Sequence, residues 1–85
     1  MELNNLFEQA VINSKLLSDK PGNDILLELY SLYKQATEGD VKGEAPGNPF
    51  DFVAKAKYNA WESLKGLSTD DAKQQYIDLV NKLRG

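Results

Sequence analysis

Apolar residues recur at three- and four-residue intervals through most of this sequence, and nowhere do β-branched residues alternate at the two-residue spacing of a strand. That pattern restricts the chain to helices packed on helices. In the first segment Leu3, Leu6, Phe7, Ala10, Val11, Ser14 and Leu17 share one face, while Asn5, Glu8, Gln9 and Asn13 fall away from it. Lys20-Pro21-Gly22-Asn23 is a turn cluster that ends this helix, and Asn23 or Asp24 caps the next. A second helix is expected from about Asp24 to Ala36, with Ile25, Leu29, Leu32 and Ala36 as its core seam. A third, from about Asp51 to Lys65, turns Phe52, Val53, Ala56, Ala60 and Leu64 inward and closes at Gly66 in a left-handed cap. The fourth opens on Ser68-Thr69-Asp70-Asp71, a hydroxyl N-cap with acids in the first turn. It carries Ala72, Tyr76, Leu79, Val80 and Leu83 on one face and ends in Lys82 and Arg84 at its negative pole. The fold class is therefore all-α, one four-helix bundle spanning residues 1–85. Between the second and third helices lies Thr37 to Pro49, which holds three of the six glycines and two of the three prolines. A connection this long in so small a bundle is either functional or an overhand crossing.

Composition narrows the chemistry. The chain has no cysteine and no histidine, so thiolate nucleophiles, cysteine zinc sites and the commonest general base are missing. Carboxylates, lysines, tyrosines and hydroxyls remain. Asp70 and Asp71 are accounted for by helix capping, and Glu38 and Asp40 flank a glycine turn, so neither pair makes a metal site. Thirteen acidic against ten basic residues give a net charge of −3, the wrong sign for binding nucleic acid through its phosphates. The N-terminal residues lack a basic and then apolar leader pattern, and no hydrophobic run is long enough for a membrane span. A cytoplasmic protein with no integral membrane association is expected.

An anionic ligand would have to be met by a local cluster, and the second helix offers one. With Ile25 at zero, Leu26, Tyr30, Tyr33 and Lys34 spread from about 80° to 180° beside the core seam, leaving Glu28, Ser31 and Gln35 as the polar face. Tyr30 and Lys34, four apart, could grip one oxyanion between a hydroxyl and a cation. The plainer reading leaves them as boundary residues with packed stems and wet heads. On the third helix Lys57 falls inside the apolar arc with no acid three or four positions away, so it either snorkels outward or meets an anion from elsewhere. That anion is a carboxylate of another helix or a ligand phosphate. Lys15 repeats the pattern at the edge of the first helix, where solubility alone would explain it. Tyr76 sits within the core stripe of the fourth, where a phenol needs a partner. These boundary lysines and tyrosines outline an anion-binding cavity with apolar walls.

The run Tyr30-Ser31-Leu32-Tyr33-Lys34-Gln35-Ala36-Thr37-Glu38-Gly39-Asp40, then Pro46-Gly47, then Lys55-Ala56-Lys57-Tyr58-Asn59-Ala60-Trp61, closely resembles the acyl-CoA-binding protein family. The likeness extends from Phe7 and Ala10 to Tyr76 and Ile77. It implies an up-down-down-up bundle with an overhand connection, and a noncatalytic monomeric carrier of medium- to long-chain acyl-CoA esters. Such a carrier needs no cofactor and exchanges its ligand with acyl-CoA-producing and acyl-CoA-consuming enzymes. By matching positions, Tyr30, Lys34 and Lys57 would hold the 3′-phosphate region of the CoA head group, and Tyr33 would lie against the nucleotide. Lys15 would add a phosphate contact, Tyr76 would close over the ligand, and Leu26 and Leu27 would line the acyl groove. Two departures stand out: Tyr58 replaces the family's usual tryptophan, and Asn48-Pro49-Phe50 carries about one additional residue. The first is expected to alter packing more than binding, the second to reshape the groove rim. The alternatives from other classes are a helical protein-interaction module without a small ligand and an enzyme such as a thioesterase, the latter disfavoured by the missing histidine and cysteine.

Overall fold

The computed structural model describes residues 2–43, 47–48 and 50–84. It contains α1 (Leu3–Lys15), α2 (Asn23–Glu38), α3 (Phe52–Glu62) and α4 (Thr69–Arg84). Pro46 of the family-like segment and Pro49 of the additional loop residue's neighbourhood lie outside the described residues.

The start and stop signals act largely as their chemistry requires. Ser68 Oγ accepts from Asp71 N at 3.1 Å at the head of α4, and Lys82 and Arg84 occupy its last turn. Asp51 caps α3, accepting from Ala54 N at 3.0 Å. At α2 the expectation fails: Gly22 is the N-cap, no side chain caps the helix, and Asn23 is already helical. Gly66 does take a left-handed conformation, φ +96°, but α3 ends at Glu62 and single turns fill the interval. The first helix stops at Lys15, so Leu17 lies beyond it.

Contacts between helix ends fix the topology. Asn4 of α1 accepts from Lys73 near the start of α4, and Leu17 lies near Leu83 and Arg84 at the other end, so α1 and α4 run parallel. Trp61 Nε1 donates to the Gly39 carbonyl at 2.9 Å, joining the ends of α3 and α2, while Leu26 and Phe52 line one cleft near their beginnings. Hence α2 and α3 are also parallel. Gln35 Nε2 donates to Leu67 O at 2.7 Å, which sets the start of α4 beside the end of α2 and makes the two antiparallel. The order is up-down-down-up. Parallel neighbours of this length force the chain to travel back about 24 Å between them, which residues 39–51 can span with a reach of about 40 Å. The overhand connection is thus a geometric necessity of the pairing.

α4 is the central helix. It packs against both α1 and α2, α3 packs against α2 alone, and the backbones of α1 and α2 do not approach each other. Close approach to α4 is possible because small side chains lie at the contacts: Ala72 and Val80 are fully buried, with Ala10 and Ala36 nearly so. Phe7, Leu29, Leu32, Tyr76 and Ile77 complete the buried core, with Ile25, Leu64, Leu79 and Leu83 packed against it. Ile77 was not on the predicted stripe of α4; it is buried because two neighbours flank this helix and one narrow seam cannot serve both.

Two predicted faces are corrected for the same reason. Ser31 and Gln35, assigned to a polar face of α2, are buried, because α2 is covered by α4 and α3 together. Ser31 satisfies its hydroxyl within the helix, donating to Glu28 O at 3.0 Å. Gln35 Nε2 donates to Asp40 Oδ1 at 2.8 Å as well as to Leu67 O, and Asp40 Oδ1 also accepts from Gly66 N at 2.8 Å. Conversely Phe52 and Val53, expected inward, are 73% and 66% exposed, since α3 has only α2 behind it and buries no residue fully.

The amide hydrogen of Gly66, then that of Gln35, holds the Asp40 carboxyl below the ordinary 3.8. A lowered folded value means that this contribution to stability is complete above 3.8 and drains away as pH falls through the lower folded value. Asp40→Asn is expected to lower the melting temperature at pH 7, and its deficit against the native chain should shrink steadily below pH 3.8, as followed by circular dichroism melts across that range.

Candidate functional site

Because α1 and α2 diverge, a cleft of about 500 Å³ opens between them, floored by Leu29 and Tyr76 and edged by Lys15, Tyr30, Tyr33 and Lys34. A second cleft of about 410 Å³ lies between α2 and α3, walled by Leu26, Leu27, Phe52, Val53 and Ala56, with Lys57 and Tyr30 at one edge. Leu26 and Tyr30 border both, so the two adjoin. All eight residues picked from the sequence line one cleft or the other. The first carries cations and phenols; the second is almost wholly apolar.

The apolar wall comes from residues that helical periodicity had turned inward. Phe52 and Val53 stand beside Leu26, which is 36% exposed, and together they face solvent across the cleft instead of a helix. The aligned signal was present in the sequence: an apolar arc on α3 broader than a single neighbour can bury. A third cleft of about 620 Å³ on the other side of Tyr33 is of mixed polarity and contains Lys73, whose ammonium donates to Asn4 Oδ1 at 2.6 Å.

Both lysines beside Tyr30 rest on aromatic rings. Lys57 Nζ lies 5.2 Å from the Tyr30 ring centroid and Lys34 Nζ 5.5 Å from that of Trp61. The face of a ring is a weak cation partner, which lets an ammonium sit at an apolar boundary and keeps its donors accessible. Lys57 is exposed, so it takes the snorkelling option that its position on the apolar arc left open. Lys34 additionally donates to Glu38 Oε2 at 2.6 Å, the only ion pair among the described residues. That hydrogen bond, working against slight burial, raises the ammonium above its ordinary 10.5. Glu38 was read as a turn flank, yet its spacing of four from Lys34 was the signal that could have revealed the pair.

Aromatic contacts hold the floor of the first cleft. Phe7 meets Tyr76 edge-on at 5.2 Å and Tyr33 at 5.9 Å, while Tyr33 and Tyr76 lie 6.4 Å apart. Tyr76 is only 4% exposed and donates to Ser14 Oγ at 3.0 Å; Ser14 in turn donates to Val11 O at 2.7 Å. Burial pushes this phenol up from 10.0, and the Ser14 hydroxyl offsets part of the rise. Tyr76 therefore forms a floor beneath the cleft, which corrects the expectation that it closes over a ligand: its ring is held in the core and its hydroxyl is tied to Ser14. Tyr58 OH reaches the Gly43 carbonyl at 3.4 Å, so the departure from tryptophan links α3 to the overhand connection.

Among the described residues no group of three metal-ligating side chains gathers, and no helix is long and apolar enough to cross a membrane. What the arrangement offers is an elongated path with cations and phenols over one part and hydrocarbon over the rest. An amphiphile with an anionic head matches both halves.

The profile of the acyl-CoA-binding protein family matches residues 4–80. The acyl-CoA-binding protein of Saccharomyces cerevisiae is 50% identical over 78 residues, covering 92% of this chain and 88% of the relative. Rat enoyl-CoA delta isomerase 2 is 52% identical over 77 residues; that stretch is 91% of this chain but 19% of the larger protein, so the chain spans about a fifth of it. The crystal structure of Oryza sativa acyl-CoA-binding protein 2 superposes with a TM-score of 0.90 at 38% identity, covering 96% of this chain and 90% of that one. The chain belongs to the acyl-CoA-binding protein family.

Ser14→Ala removes the acceptor of a buried phenol and should destabilise the bundle by about 1–3 kcal/mol, measured by urea unfolding. The same variant is expected to move the Tyr76 phenol further above 10.0 in an ultraviolet pH titration.

Proposed function

We propose that the chain binds medium- to long-chain acyl-CoA esters noncovalently and carries them, keeping a protected pool of the thioester without transforming it. The observation that carries this reading is the adjacency of the two clefts: family-matched lysines and tyrosines edge one, and an apolar wall lines the other. Tyr30, Lys34 and Lys57 hold the 3′-phosphate region, with Lys15 adding a phosphate contact at the far side of the first cleft. Tyr33 lies against the nucleotide and Tyr76 beneath it. The acyl chain follows Leu26 and Leu27 towards Phe52 and Val53.

Head and tail contribute differently. A charge-assisted hydrogen bond is worth about 1.5–3 kcal/mol and selects for phosphate. Each methylene withdrawn from water adds about 0.8 kcal/mol, so roughly ten give on the order of 8 kcal/mol before ordering losses. Chain length then governs affinity, and the head group governs class. The carrier works as a monomer in the cytoplasm, exchanging its ligand with enzymes that make and use acyl-CoA. Identity of 52% to one part of an enoyl-CoA isomerase supports that association.

Titration calorimetry tests the reading. Palmitoyl-CoA is expected to bind far more tightly than free CoA or free palmitate; equal affinity for palmitate would overturn it. Lys34→Ala should weaken palmitoyl-CoA binding by about tenfold or more, and Tyr30→Phe by less, with both variants retaining native helix content. Unchanged affinity in both would remove these residues from the site.

A further inference from the structure

Glu38 is the last residue of α2, half-exposed, with its carboxylate beside the ammonium that edges the first cleft. Its position gives the helix little. A carboxylate at a helix C-terminus opposes the macrodipole, and the last turn of α2 has no basic residue to compensate. Lysine placed four residues before glutamate is also the less favourable order for such a pair. The end of α2 is held by other groups: Gly39 N donates to Gln35 O at 3.1 Å, and Trp61 and Asp40 fasten the following turn.

The carboxylate nonetheless takes one of the three donors of Lys34 at 2.6 Å. An oxyanion on a second donor of the same ammonium would lie about 4–5 Å from Glu38 Oε2, close enough for two negative charges to oppose each other. Lys57 differs, since its contact is the neutral Tyr30 ring. We infer that Glu38 sets affinity by competing with the ligand's phosphate for Lys34, weakening the grip on the head group so that the ligand is released more readily. This rests on the acyl-CoA reading and adds to it a residue that acts against binding.

The test titrates palmitoyl-CoA into the native chain, Glu38→Gln, Lys34→Met and the double variant. Glu38→Gln is expected to bind about fivefold more tightly at about 20 mM salt, the upper end of what an exposed pair is worth. The gain should fall below about twofold at about 0.5 M salt, where screening reaches across the pair. In the Lys34→Met background the same substitution should give a smaller gain, the signature of coupling through Lys34. Native binding with an unchanged or weakened Glu38→Gln variant overturns this inference alone, as does a gain that is indifferent to salt or equal in both backgrounds. Failure of the native chain to bind palmitoyl-CoA overturns the acyl-CoA reading together with it. Glu38→Ala provides a second variant if the glutamine form does not fold, with circular dichroism reporting helix content for each.

Discussion

The amide nitrogen of Gln35 bonds simultaneously to a carboxylate at the start of the overhand connection and to a carbonyl at the start of α4. The same carboxylate oxygen receives the amide of Gly66. The end of α2 and the turn after it are thereby joined to the segment that precedes α4, about thirty residues away, and each partner leaves another unpaired if it departs. Parallel placement of α2 and α3 depends on this junction, because both helices end there and Trp61 ties their ends to each other. The amide's Oε1 is buried with no partner among the described residues, so the junction carries a desolvation cost that its nitrogen and the carboxylate must offset.

Once α2 and α3 are parallel and α4 stands between α2 and α1, the clefts follow. Helix pairs that share only one neighbour leave their outer apolar surfaces uncovered, which is why α3 displays Phe52 and Val53 and why α1 and α2 part around Tyr33. An acidic protein can host cations at these edges because aromatic rings lie against two of them, Lys34 over Trp61 and Lys57 over Tyr30, and only Lys34 is also paired with a carboxylate among the described residues. Electrostatics here is local: the net charge of −3 excludes broad attraction to polyanions and says nothing about two adjoining clefts with Lys15 and Lys34 bordering one and Lys57 the other.

Much of this was legible in the residues. Four helices, the serine cap of α4, the left-handed Gly66 and the seam of Leu29, Leu32 and Ala36 follow from local chemistry and spacing. The lysines and tyrosines declared themselves by standing at apolar boundaries. Periodicity cannot say how many neighbours a helix has, and the errors gather there. Gln35 and Ser31 look like surface residues until two helices cover α2, whereas Phe52 looks like core until only one covers α3. The competition at Lys34 was also accessible from spacing, but Glu38 was absorbed into a turn whose glycine explained it well enough.

Leu26 and Tyr30 form a common wall between a compartment for charge and one for hydrocarbon. Changes on α2 will be felt on both sides of that partition, so the two halves of the molecule's selectivity are not independently adjustable from this helix. Within α3, Phe52 and Val53 are freer, because they face the hydrocarbon side and bear no share of the core, whereas Lys57 and Trp61 stay tied to the cationic edge. Substitution at Phe52 and Val53 can reshape the apolar wall while leaving the lysines and the rings beneath them in place.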